Sequence, residues 1–141
     1  RELSRLRELS ASTIVNEGTL LDEPAFRAKI EQTEIELTAT EFTELRTLSS
    51  MSSGGSPGAE ASILKIKGTE LQQKLSELFV EMLGYYAHPF FTENELGSNE
   101  SIGPEHAGSI MPHYLNYRKV SIYGGSNEIQ RNVISKAILG L

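Results

Sequence analysis

The stretch SIYGGSNEIQRNVISKAILGL, Ser121 to Leu141, sets two adjacent glycines between segments of helical spacing. Gly124 and Gly125 accept backbone angles that a Cβ forbids, and Ser126 or Asn127 can cap the helix that follows. That helix carries Ile129, Val133, Ile134 and Ile138 at three- and four-residue steps, one apolar stripe. A junction of this kind turns unpaired N–H groups and the positive end of a helix dipole outward. It can hold a phosphate, a carbonyl oxygen or a ribose hydroxyl, and the missing side chains let a flat ligand come close. The same two glycines also suffice merely to end one helix and launch the next.

Working outward, the pattern stays helical. Leu3, Leu6 and Leu9 give Arg1 to Ser12 one apolar stripe, and Asn16 and Gly18 mark Thr13 to Leu21 as a turn. Asp22 is placed to cap a second helix with Pro24 in its first turn. Phe26, Ile30, Leu37, Leu45 and Leu48 form its stripe, and it is predicted to run from Asp22 to Ser52, about 45 Å. SSGGSPGA, Ser52 to Ala59, is a flexible connection between antiparallel helices. A third helix follows, with Ile63, Leu64, Leu71, Leu75, Leu78, Phe79, Met82 and Leu83 on a broad apolar face, and ends near Gly84. From Tyr85 to Met111 the periodicity is lost, and it resumes over Pro112 to Tyr123. No stretch alternates as a strand does. The prediction is an all-α chain folded as an antiparallel four-helix-type bundle, a single domain over residues 1–141.

Composition narrows the function. A net charge of −6, with acidic residues spread along the helices and no basic stripe, argues against nucleic acid. The chain has no cysteine, so thiolate chemistry is excluded, and no apolar run approaches the roughly 20 residues of a membrane span. The expected location is the cytoplasm. His88, His106 and His113 lack metal-ligand spacing and read as loop or surface histidines, so no metal is expected. Glu93, Glu95, Glu100 and Glu105 read as a solvated acidic segment, and Tyr85, Tyr86, Phe90 and Phe91 as packing residues.

YGGSNEIQR, followed by a helix and a closing LGL, resembles the carboxyl-terminal signature of the acyl-CoA dehydrogenases, IYGGTNEIQR or IYEGTxQIQ. RKVSIYGG from Arg118 is similar to the family's RVxxIYGG lead-in. Ala61 to Gly84, ASILKIKGTELQQKLSELFVEMLG, resembles the family helix with a small residue and a lysine near its start. The phrasing is similar to bacterial members that form one subunit of a two-gene dehydrogenase, such as pimeloyl-CoA or steroid side-chain enzymes of fatty acid or steroid catabolism. The resemblance covers the carboxyl-terminal helical domain, so the 141 residues are expected to be part of a longer chain, inactive alone.

The resemblance implies an FAD-dependent oxidoreductase that converts an acyl-CoA substrate to the trans-2-enoyl thioester and passes electrons to an electron-transfer flavoprotein, as a homo- or heterotetramer. It implies cofactor contacts at Gly84, Ser126, Asn127 and Glu128, and substrate contacts at Tyr123, Gly124 and Lys136. The backbone N–H of Gly124 would donate to the thioester oxygen as enolate character develops. Arg131 reads as a solvated or inter-helix charge. One branch of the family carries its catalytic glutamate where this chain has Gly124, so no catalytic residue is assigned here. The family's QxxGGxG loop is reduced to Gly84 followed by Tyr85 and Tyr86, and its RxxFG motif is absent around Thr13 to Glu17. Those departures leave room for a second reading, a non-catalytic structural subunit of a heteromeric dehydrogenase.

Overall fold

The computed structural model describes residues 1–56, 58–89 and 102–140; Phe90, Phe91, Glu93, Glu95 and Glu100 lie outside these. Five α-helices are seen among the described residues: α1 (Glu2–Ser12), α2 (Pro24–Ser52), α3 (Glu60–Leu83), α4 (Ala107–Tyr117) and α5 (Asn127–Leu139). The all-α bundle expected from the periodicity is what forms. Its axis is α3, which packs against each of the other four helices. The ion pairs between α2 and α3 move from Lys29–Glu81 to Glu36–Lys74, forward on one helix and back on the other, so the two run antiparallel. Lys74, and after it Gln32, hydrogen-bonds Glu36 and holds its carboxyl below the ordinary range.

The core lies at one end of the α2–α3 pair. Leu3 and Leu6 of α1, Phe26 and Ile30 of α2, and Leu78, Phe79, Met82 and Leu83 of α3 meet Ala107 and Ile110 of α4 there. Each helix turns only one stripe inward, and burying one such side chain fully is worth about 1.5–3 kcal/mol.

Local structure departs from the sequence reading in several places. The turn after α1 contains a minimal antiparallel ladder, β1 (Ile14–Val15) against β2 (Gly18–Thr19), reversed through Asn16 at φ 53°. Asp22 does not cap α2. Its carboxylate accepts from the backbone N–H and the hydroxyl of Thr19 at 2.9 and 2.7 Å, closing a 3₁₀ turn over Leu20–Asp22, and α2 starts after Glu23 with Pro24 in its first turn. Helix α4 begins at Ala107, so Pro112 lies inside it and forgoes one backbone hydrogen bond. The chain then tightens to 3₁₀ over Arg118–Ile122, where the fourth helix was expected to continue.

Another departure is the α2 stripe. Phe26 and Ile30 are buried as expected, yet Leu37, Leu45 and Leu48 are exposed, with Ile35 and Phe42 beside them. In the far half of α2, Thr40 and Thr43 lie across a groove from Ile63, Leu64 and Lys67 of α3. Thr33, Thr38, Thr40, Thr43 and Thr47 each donate a hydroxyl hydrogen bond of 2.7–2.9 Å to the carbonyl four residues back. Tyr85 and Tyr86, read as packing residues, are also exposed, because α3 stops at Gly84 (φ 55°) and they fall on a 3₁₀ turn, Gly84–Ala87, whose buried member is Ala87.

Candidate functional site

The glycine corner forms at the other end of α3. Gly124 and Gly125 take φ of 59° and 88°, the left-handed region a side chain resists, and α5 starts at Asn127. Ser126 is the N-cap, its Oγ accepting from the Ile129 N–H at a long 3.5 Å. Tyr123, Gly124 and Gly125 are exposed. A Cβ built on Gly124 meets nothing within 4 Å, so the approach to this peptide is open. Among the described residues no group accepts a hydrogen bond from the Gly124 N–H. One on Gly125 would stand 2.9 Å from Gln130 Nε2.

The inner side of the corner is fastened to α3. Lys65 Nζ donates to Ser121 O at 2.8 Å and to Asn127 Oδ1 at 2.7 Å, while Thr69 and Asn127 exchange side-chain hydrogen bonds of 3.2–3.3 Å. Ser62 Oγ donates to Gln130 Oε1 at 2.7 Å, and Gln130 Nε2 donates to Gly124 O at 3.2 Å. Just upstream, the Arg118 guanidinium reaches Gln73 O, Ser76 Oγ and Glu77 Oε1 at 2.7–3.0 Å and lies 4.3 Å from the Tyr114 ring centre. Gln73 returns hydrogen bonds to the carbonyls of Tyr117 and Arg118. The corner is therefore the end of a segment bonded to α3 along its length.

The residues singled out from sequence fall into two groups. Tyr123, Gly124, Ser126 and Glu128 stand together on the open side. Glu128 bonds its own backbone N–H and, secondarily, Ser126, which lowers its pKa, as suits a carboxylate in a first helical turn. Asn127 is at the same corner, but it is buried and its side chain is spent on Lys65 and Thr69. Lys136 is exposed about 14 Å further along α5. Gly84 is not at the corner: it closes the opposite end of α3, about 28 Å from Lys65. Arg131 is an inter-helix charge, pairing with Glu70 of α3 at 3.4 Å.

Sequence reasoning missed the four residues beneath the corner, Ser62, Lys65, Thr69 and Gln130. Lys65 is one of two lysines near the start of α3, and its partner Asn127 is 62 positions away. Among the histidines, His88 and His113 are exposed as expected, His113 stacked on Tyr117 at 4.0 Å. His106 is half-buried, and its Nε2 has no hydrogen-bond partner among the described residues; burial first, and Arg5 second, push its pKa down. A separate concavity of about 350 Å³, lined in part by Arg5, Phe79, Ile110 and His113, lies at the core end between α1, α3 and α4. Among the described residues there is no cluster of three potential metal ligands, and no helix long and apolar enough to cross a membrane.

Comparison with known proteins agrees with this fold. The family described as acyl-CoA dehydrogenase, C-terminal domain, matches residues 1–139. The chain is 30% identical over its whole length to acyl-CoA dehydrogenase IpdE1 of Mycobacterium tuberculosis, and spans 32% of that protein. The crystal structure of the ChsE4–ChsE5 complex from the same organism superposes with a TM-score of 0.74 at 28% identity, over 99% of this chain and 34% of the other. The FAD complex of PigA superposes at 0.77 with 19% identity, over the whole chain and 32% of the other, a likeness of fold.

Proposed function

The chain belongs to the acyl-CoA dehydrogenase family, and from that membership we propose that it is the carboxyl-terminal domain of a larger FAD-dependent enzyme that oxidises an acyl-CoA thioester to trans-2-enoyl-CoA. The observation that carries the reading is the exposed Gly124 peptide, open on the side where a Cβ would stand and with its N–H unmatched among the described residues. The chemistry of the corner suits a flavin nucleotide: a helix N-terminus, a hydroxyl at Ser126 and no side chain at Gly124 or Gly125 to keep a flat ring away. Bound FAD supplies the acceptor for the hydride that leaves the substrate's β carbon.

The residues of this chain bind and orient. The Gly124 N–H donates to the thioester oxygen, so negative charge developing there meets a donor already in place. The Ser126 hydroxyl, the Asn127 backbone and Glu128 hold the cofactor, Tyr123 flanks the ring and the thioester, and Lys136 lies toward the coenzyme A moiety. Gly84, at the far end of α3, serves the flavin site of a neighbouring subunit. Gly124 has no side chain to take the α proton, so the base comes from outside these residues. An electron-transfer flavoprotein would be the partner that takes the electrons onward, and the cytoplasm the compartment. The apolar residues left exposed on α2 and α5 form contacts of a tetramer, homomeric or heteromeric.

The whole protein carrying this domain, prepared with any partner subunit, is expected to be yellow and to reduce a dye when given acyl-CoA. A colourless, inert preparation of that complete protein overturns the reading. A second reading, a structural subunit without its own turnover, is favoured by Gly124 in place of a carboxylate and by Tyr85 and Tyr86 after Gly84. Counting flavins per heterodimer separates the two: one flavin per pair supports the structural subunit, two support the enzyme.

A further inference from the structure

We propose that Lys65 and Gln130 are positioning residues that hold the glycine corner in one shape, so that the Gly124 N–H is presented at a fixed angle to its ligand. The proposal rests on the role given to Gly124 above. Its ground is the arrangement of hydrogen bonds. Lys65 Nζ grips the carbonyl of Ser121 on the upstream side, and Gln130 Nε2 grips the carbonyl of Gly124 itself on the downstream side. The N–H of Gly124 lies between the two anchored carbonyls.

Each gripping group is tied down in turn. Asn127 Oδ1 receives a second bond from Lys65 Nζ, and the Gln130 amide oxygen receives the Ser62 hydroxyl. The four side chains bridge α3, a rigid helix about 36 Å long, to a turn with two side-chain-free residues at positive φ. Glycine at two successive positions gives a turn its widest choice of backbone angles, which works against a donor that must be aimed before charge develops. The clamp removes that freedom from beneath, using groups that stay on the inner face and leave the open side to the ligand. Lys65 is suited to the upstream contact because an ammonium has three donors and no acceptor, enough to bind Ser121 O and Asn127 Oδ1 together.

The test uses the complete flavin-loaded enzyme and three variants: Lys65→Met, Gln130→Met and the conservative Lys65→Arg. Three properties are read: amide hydrogen exchange over residues 121–126, the infrared carbonyl stretch of a bound unreactive acyl-CoA analogue, and kcat against KM. In both Met variants we expect faster exchange and a carbonyl stretch moved toward its value in solution. We also expect kcat lowered about tenfold with KM changed less than about twofold, since the donor is loosened but kept. Lys65→Arg restores part of each. If Lys65→Met does not fold, Gln130→Met decides. Met variants that fold, with exchange, carbonyl stretch and kcat all as in wild type, overturn the positioning role. A wild-type enzyme that turns over but leaves the analogue's carbonyl unshifted overturns the role of Gly124 and this proposal with it. One that binds no flavin overturns the broader reading.

Discussion

At one end of the α2–α3 pair, Phe26 and Ile30 face Leu78, Phe79 and Met82, none more than 6% exposed; toward the other, Phe42, Leu45 and Leu48 keep 64%, 54% and 53% of their surface in solvent. The two ends contain side chains of the same kind on the same helix. What differs is the partner: α1 and α4 cover the first end, while the second has α3 on one face and α5 bonded to α3 by polar groups. Periodicity in a sequence announces that a stripe will be covered, without saying by which chain. Among the described residues the first end is covered by this chain's own helices, while the second leaves the large apolar side chains of α2 in solvent.

The largest effect that would test this contrast is truncation at the dry end. Ile30→Ala is expected to lower the stability of the chain by about 3 kcal/mol, read by chemical denaturation, because a fully buried side chain leaves a cavity. A loss under about 1 kcal/mol would mean the core is looser than drawn. Next comes the polar seam between the ends. Asn127→Ala strips Lys65 and Thr69 of a shared partner and is expected to cost about 2 kcal/mol by the same measurement, the range for leaving buried polar groups unmatched.

Phe42→Ser should change the chain's own stability by less than about 0.5 kcal/mol, as an exposed site does, while weakening association in sedimentation of the assembled protein. Unchanged association would leave the open face without the covering role assigned to it. The smallest effect is at His106, beside the core. Its folded pKa lies below the ordinary 6.5, so the unfolded chain takes up the proton first. Its contribution is complete above pH 6.5 and is lost as pH falls through the lowered folded value. Thermal melts of His106→Gln should therefore show a shallower decline than wild type below pH 6.5, separate from the carboxylates Glu36 and Glu128, which titrate in more acid solution.

Much of the architecture was legible because helices advertise themselves locally. Leucine spacing, Pro24 and the glycines at 84 and 124–125 marked starts and stops to within a few residues. The β1–β2 ladder was invisible because two residues per strand leave no alternation to read. The start of α4 was hidden by Pro112, read as a boundary although a proline can lie inside a helix at the loss of one bond. At the site, the outward face was readable as an ordered motif, YGGSNEIQR. Its support was not, since the bonds of Lys65 to Ser121 and Asn127 join positions 56 and 62 apart, and spacing within a window carries no trace of them.

The threonines of α2 bear on how such a helix is weighed. With the hydroxyls at positions 33, 40, 43 and 47 already folded back onto the helix's own carbonyls, what these residues offer a neighbour is chiefly a methyl group. A face spelled in polar letters is thus, to the helix packed beside it, close to an alanine surface: small, nearly smooth and already dehydrated in its hydrogen-bonding groups. Hydropathy scales score such a helix as wetter than it is. The internal hydroxyl bonds also tend to bend a helix, so the far half of α2 has a means of following the curvature of whatever it meets without giving up its own backbone ladder.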